Sequence, residues 1–458
     1  MKLPHTTAVR VVIFSGLTWM TAAAASAATD PGVRPGVSAG DPVPGLTADE
    51  SSLFFAGQTA FAEVEGLGDG LGPRFNLDSC TGCHAYPARG GSSPPVNPQS
   101  TVATAMGAHN SLPVFISANG PVREARFKFT SSGARDGGVH SLFVISGRTD
   151  STGNATQCTA VQEDFNTQWS RGNVSLRIPT PTYGTGLIES IPDTTLVSNL
   201  AANSRQKSQL GISGHLNTNG NDGRVTRFGW KAQNVSLLMF AGEAYNVEMG
   251  ITNELFPTER DLNPTCQTAA TPNDTTGKNG LANMSDIVND IEKFALYMRF
   301  LGAPVASTTL PGGATSISRG QRTFSNVGCA LCHTPVLTTD TTAVAALASK
   351  PVPLYSDLAL HHMGPKLADN ILQGAAGPDE FRTAPLWGLG QRVYFLHDGR
   401  TSDLLQAIEA HSSADAGTGF HQPGTTSAPP SEANQVVGNF NGLSDGAKQD
   451  VLNFLRSL

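Results

Sequence analysis

The chain is 458 residues long and acidic, with 37 acidic against 30 basic side chains and a formal net charge of −7. That length allows two or three domains, and the charge argues against a nucleic-acid partner. Forty-nine glycines and 29 prolines against 7% aromatic residues describe a loop-rich chain.

The N-terminus reads as an export signal. Lys2 and Arg10 form a positive region, Val11 to Ala25 is apolar or small, and Ala25-Ser26-Ala27 is an A-x-A-like cleavage site. A membrane anchor would need a longer apolar run. Residues 1–27 are therefore expected to be a cleaved signal peptide and the mature protein to be periplasmic. Losing Lys2 and Arg10 takes the net charge from −7 to −9. No later segment is long and apolar enough to span a bilayer.

Gly57-Gln58-Thr59-Ala60-Phe61 looks like the end of a leading helix, and Gly320-Gln321-Arg322-Thr323-Phe324 repeats it. The glycine-rich run 66–73 after the first copy is a loop. Cys80-Thr81-Gly82-Cys83-His84 follows. Between Pro121 and Arg227 the pattern turns irregular and partly β: Glu124–Phe129 alternates, and Ser141–Ile145 and Val174–Ile178 are short β-rich runs. Ser285 to Leu301 has a helical apolar period, with Ser285 and Asp286 as N-caps and Gly302 and Pro304 as stops. A Ser/Thr/Gly/Pro linker runs from about Ala303 to Ser316. Beyond it come Cys329-Ala330-Leu331-Cys332-His333, then Met363-Gly364-Pro365-Lys366-Leu367. A helix starting near Thr401 carries Leu404, Leu405, Ile408 and His411 on one face, and a closing helix spans Ser444 to Leu458.

Both Cys-x-x-Cys-His motifs read as covalent c-type haem sites. Two thioethers hold the porphyrin and the adjacent histidine, His84 or His333, binds iron. Zinc would require two further ligands at conventional spacing, and a dithiol site has no use for a trailing histidine. A bound haem also supplies apolar core that so few aromatic residues cannot. The expected fold is mainly α. Two cytochrome-c-like haem domains span 28–305 and 314–458, the first enlarged by the irregular, partly β insertion at about 120–226. The remaining cysteines, Cys158 and Cys266, form a disulfide or stay as buried thiols; export favours the disulfide.

Met363-Gly364-Pro365-Lys366-Leu367 resembles the Gly-Pro-x-Leu turn of class I cytochromes c. It makes the Pro365 carbonyl the candidate acceptor for the second nitrogen of His333 and counts against Met363 as distal ligand. His411, on an apolar helix face that a haem must bury, is the candidate sixth ligand of the second iron.

The segments Leu71–His84, Asn119–Phe127, Val139–Arg148, Arg227–Thr252, Met363–Leu367, Arg382–Gly390 and Phe395–His411 resemble the dihaem bacterial cytochrome c peroxidases and related tryptophylquinone-forming dihaem enzymes. The nearest likeness is to their thiol-oxidoreductase-like branch (dihaem oxidoreductase, putative peroxidase). In the peroxidases a His-x-Gly turn precedes the distal methionine by fourteen residues; from His397 that spacing reaches His411. Asn246-Val247-Glu248-Met249-Gly250 resembles the segment bearing the family's acid–base glutamate, which Glu248 matches; a solvated loop carboxylate is the alternative. The family's catalytic glutamine falls on Leu238, a departure from the pattern. Trp230 resembles the tryptophan between the haems, with a core tryptophan as the alternative. Asn110 matches a ligand of the family's interdomain calcium. The sixth ligand of the first iron has no clear candidate: His109, His140 and His215 are available, and an open position is the preferred reading.

These residues imply a periplasmic dihaem c-type oxidoreductase. An electron-transfer haem in the second domain would take electrons from a small redox protein and feed a reactive haem in the first, with hydrogen peroxide as oxidant. The alternatives are a non-catalytic electron-transfer cytochrome and an enzyme that oxidises a thiol or a protein side chain.

Overall fold

Helix outweighs strand in the computed structural model, 33% to 10%, as a mainly α reading requires. The structure describes residues 1, 27–35, 39–135, 142–150, 153–154, 162–261, 263–267, 269–277, 288–413 and 428–458. Among them no helix is long and apolar enough to cross a membrane.

Six helices frame the site. Helix α1 (Ala48–Phe61) starts in a capping box in which Thr47 and Glu50 satisfy each other's backbone N–H groups. Helix α2 (Leu237–Met249) is capped by Ser236 and stopped by Gly250, whose φ of 73° is the left-handed turn that releases a helix. Helix α3 (Asp290–Phe300) begins with a second capping box, Asn289 with Glu292. The expected caps Ser285 and Asp286 lie outside the described residues. Helix α4 (Ala314–Val327) ends at Gly328, φ 109°, so the linker closes at Gly313. Helix α5 (Leu404–Ala410) is capped by Asp403 and starts three residues later than the apolar pattern suggests. Helix α6 (Asp445–Ser457) is capped by Ser444.

The internal repeat has a structural meaning. Helix α1 packs on α3, and α4 packs on α6. At each crossing the repeat's glycine is what lets the backbones meet. A Cβ on Gly57 would strike the Lys293 carbonyl and come within 2.9 Å of Tyr297 Cβ; one on Gly320 would strike the Asp450 carbonyl and come within 2.7 Å of Phe454 Cβ. The glutamines bond to tyrosine hydroxyls, Gln58 to Tyr297 and Gln321 to Tyr355. The phenylalanines point at the motif histidines, Phe61 to His84 at 6.0 Å and Phe324 to His333 at 6.2 Å between ring centroids.

The β structure is confined to short two-stranded ladders. Strand β1 (Arg74–Phe75), β2 (Glu124–Phe127), β3 (Ile145–Ser146) and β4 (Val174–Arg177) belong to the first half, β5 (Leu360–His362) and β6 (Glu380–Arg382) to the second. All pairings are antiparallel: β1 with β3, β2 with β4, β5 with β6. The alternating runs read from the sequence thus form β2 and β4, with Glu124 opposite Arg177.

The halves are stapled by buried charge. Asp369 takes Arg177 at 2.7 Å and Lys231 at 3.0 Å, all with side chains nearly inaccessible to solvent. Its carboxyl is held down at about 2, burial opposing and the two cations prevailing. The N-terminal residues cross over as well: Ala28 packs in the core of α4 and α6, and Asp30 is gripped by Arg456 at 2.6 Å. Residues 28–34 therefore pack with the second half of the chain, while 39–305 carry the first.

Candidate active site

The first motif forms a single helical turn, Cys80–Cys83, capped by Ser79. His84 Nδ1 lies 2.9 Å from the Gly91 carbonyl oxygen. That oxygen can only accept, so Nδ1 carries the proton and Nε2 keeps its lone pair. Burial pushes the imidazole down from its ordinary value, favouring the neutral ring a metal ligand needs.

His84 and Cys83 open onto a cavity of about 760 Å³, a figure that includes the solvent-open space at its mouth. One face of α2 lines it, with Phe240, Glu243, Ala244, Val247 and Glu248 recurring at the helical period. Opposite stand Asn76, Gln99, Glu124, Arg126, Trp230 and Gln233. Two thiols, a buried imidazole and this space fit a covalently held haem.

Glu248 is anchored twice by Asn76: the Asn76 amide donates to its Oε2 at 2.9 Å, and the Asn76 backbone N–H to its carbonyl at 2.8 Å. Asn76 is itself fixed by Val144 and Gln99. Glu248 also hydrogen-bonds Glu124. Two carboxyl groups can do this only if a proton lies between them. Burial first, then the Glu124 charge, push Glu248 well above the usual carboxylate range; Asn76 and Arg126 pull the other way. Arg126 lies 3.5 Å from Glu124 on the same face of β2. Burial raises Glu243 also, which Asn234 holds by a side-chain hydrogen bond. The cavity therefore contains carboxyl groups that hold their protons more tightly than a solvated carboxylate does.

At the position of the missing glutamine, Leu238 packs with the core and not on the cavity. Two other glutamines line the cavity instead, Gln99 and Gln233, and the Oε1 of Gln233 is buried without a hydrogen-bond partner in the protein.

The second motif folds as a 3-10 turn, Cys329–Leu331. His333 Nδ1 bonds the Tyr355 carbonyl at 3.0 Å, not that of Pro365. Tyr355 adopts φ 53°, a left-handed conformation that turns its peptide toward the histidine. The Met363–Leu367 turn packs elsewhere, with the Lys366 N–H on Ser413 Oγ at 3.1 Å and the Met363 N–H on the Asp379 carbonyl. His411, at the C-cap of α5, bonds the Ala407 carbonyl through Nδ1 at 2.7 Å, leaving its Nε2 free. Burial and then the charge of His411 push His333 down to about 4, so His411 lies within electrostatic reach of His333. His361 stands beside this motif, its Nδ1 3.9 Å from Cys332 Sγ, clamped between Asp357 at 3.0 Å and Glu432 at 2.7 Å.

Trp230 stands at the edge of the first cavity. Its ring lines the His84 cavity, its Nε1 donates to the Ile178 carbonyl at 2.8 Å, and its ring meets the His397 ring at 6.4 Å. His397 in turn stacks on Phe381 at 4.3 Å.

Among the described residues, His84 is the single histidine on the first cavity. His109 packs against Gly147, and His215 bonds Glu380 at 2.8 Å; His140 lies outside the described residues. The Asn110 amide bonds the backbone of Ser146 and Val144. Cys266 is disulfide-bonded, and its expected partner Cys158 lies outside the described residues. The sequence reading missed Glu124, Arg126 and Asn76. The alternation of Glu124 and Arg126 was a signal that both face one side of a strand, but not of what that side meets.

A model of the family described as "Di-haem oxidoreductase, putative peroxidase" matches residues 125–420. The match takes in well over half of the chain, and the chain belongs to that family. No curated protein matches it. Similar solved structures include a MauG-like protein associated with microbial copper homeostasis, at 17% identity, covering 61% of this chain and 90% of that one, TM-score 0.32. Another is the Y463M variant of the diheme peroxidase BthA from Burkholderia thailandensis E264, at 15% identity, covering 53% of this chain and 68% of that one, TM-score 0.29.

Proposed function

We propose that this di-haem oxidoreductase is an exported, periplasmic enzyme that reduces hydrogen peroxide at its first motif with electrons taken in at its second, from a small redox protein. One haem c is held by Cys80, Cys83 and His84, the other by Cys329, Cys332, His333 and His411, in two cytochrome-c-like units. The observation that carries this reading is the unlike surroundings of the two motifs. His333 has a second imidazole near it, whereas His84 faces a cavity lined with carboxyl groups.

The haems supply the iron chemistry by which a peroxide O–O bond is cleaved with two electrons. The chain supplies the rest. His84 and His333 are each oriented by a carbonyl. Glu248, sharing a proton with Glu124, takes the proton of an arriving peroxide and returns one to the departing oxygen. Asn76 and Arg126 hold the pair in place, and Trp230 bridges the halves. Removal of water from the cavity strengthens each of these interactions.

The test is an electron count. Fully reduced holoprotein is mixed anaerobically with hydrogen peroxide. The proposal predicts one peroxide consumed per two electrons lost, with water as product. Oxidised protein side chains in place of that stoichiometry would assign a different substrate, and no reaction would leave an electron-transfer cytochrome.

A further inference from the structure

Arg382, on β6, is buried and Arg392 is partly buried, and neither guanidinium meets a carboxylate among the described residues. Arg382 Nε donates to the Gly229 carbonyl at 3.0 Å and Arg392 Nη2 to that of Pro385 at 3.0 Å, while Arg392 Nε is buried with no partner. Burial pulls both down to about 10, and Arg392 adds to the shift at Arg382. Cations in an apolar interior persist only when an anion meets them. Nearby, the buried cations Arg177 and Lys231 have such an anion in Asp369.

Both arginines line a second, narrow cleft. Four residues of its wall, Thr180, Gly229, Trp230 and Phe240, are also walls of the His84 cavity. The two spaces adjoin, so a flat group seated on His84 and reaching past Trp230 arrives at guanidinium groups that belong to the second half of the chain.

We propose that Arg382 and Arg392 bind the propionate carboxylates of the first haem. This rests on the reading that a haem occupies the His84 cavity. The chemistry is complementary: a haem carries two carboxylates at one edge, and a guanidinium is the side chain best shaped to take a carboxylate through two parallel N–H groups. The pair also couples the halves, since the charge environment of the first haem is then set by residues packed around the second.

The test is a spectroelectrochemical titration of holoprotein, following each haem through its own absorption, with Arg382→Gln and Arg392→Gln. Removing a cation next to the propionates favours the oxidised iron, so the midpoint potential of the haem at Cys80 and Cys83 falls in both variants while that of the haem at Cys329 and Cys332 stays in place. A shift confined to the second haem, or no shift in either, overturns the proposal. A wild type with no haem at Cys80 and Cys83 fails the functional reading instead, which mass spectrometry of the haem peptides detects separately. If the variants do not fold, diffraction from wild-type holoprotein decides: a carboxylate of the first haem within hydrogen-bond distance of either guanidinium supports the assignment. A soluble anion, or the second haem's carboxylates, in that place refutes it.

Discussion

The shared proton between Glu124 and Glu248 makes Glu124→Gln the most informative substitution. A carboxylate hydrogen-bonded to another carboxyl places two charge centres about 4 Å apart, and at an effective dielectric of about 20 their repulsion is ~4 kcal/mol. Arg126, 3.5 Å from Glu124, offsets part of it. The sign follows from the charges. Ionised Glu124 favours protonated Glu248, so its removal lowers the Glu248 pKa, and the protonated form disappears at lower pH. The assay is the pH profile of kcat/KM for peroxide reduction, in which the acid limb, where protonation of Glu248 removes the base that takes the peroxide proton, should move to lower pH in the variant. Glu248→Gln should reduce kcat/KM by about 100- to 10,000-fold, or ~3–5 kcal/mol of barrier, with both haem spectra retained. An acid limb that stays in place in Glu124→Gln, with Glu248→Gln inactive, would refute the paired-carboxyl account.

Other expectations test separate parts of the structure. His411→Gly should turn one low-spin ferric signal high-spin, and an unchanged spectrum would remove His411 from the iron. Trp230→Phe should slow electron transfer between the haems in stopped-flow mixing while leaving both absorption spectra alone; an equal rate would place the electron path elsewhere. Glu65, buried and accepting a hydrogen bond from Tyr245 at 2.9 Å, is raised from 4.5 to about 8, chiefly by burial. The folded state then binds the proton more tightly than the unfolded, so stability falls as pH rises from 4.5 to about 8, by roughly 3–5 kcal/mol. Glu65→Gln should melt like wild type at pH 4 and higher than wild type at pH 9. Gly320→Ala should cost about 1–3 kcal/mol in chemical denaturation by forcing α4 off α6. Gly438→Ala, where a Cβ meets nothing within 4 Å, should be harmless.

What the sequence revealed was chiefly local. The Cys-x-x-Cys-His motifs, the capped closing helix and the alternating runs of β2 and β4 are each specified by residues adjacent in the chain. The Gly-Gln-x-x-Phe repeat was legible as a repeat, but its purpose was not, because the carbonyls that demand Gly57 and Gly320 come from helices far along the chain. The acceptor for His333 was misplaced for a related reason: any residue offers a carbonyl, and only the left-handed turn at Tyr355 aims one at the ring. Glu248 was found through its flanking residues, yet the groups that set its protonation, Asn76 and Glu124, arrive from a loop and a strand 172 and 124 positions earlier in the sequence.

The central claim is that two motifs of the same Cys-x-x-Cys-His pattern hold unlike irons. Ferric-state electron paramagnetic resonance of the purified holoprotein tests it directly. The account predicts one high-spin signal, from the His84 site, altered by added peroxide, and one low-spin signal from the His333 and His411 site that is not. Two low-spin signals in the resting protein, neither changed by peroxide before or after one-electron reduction, would contradict it.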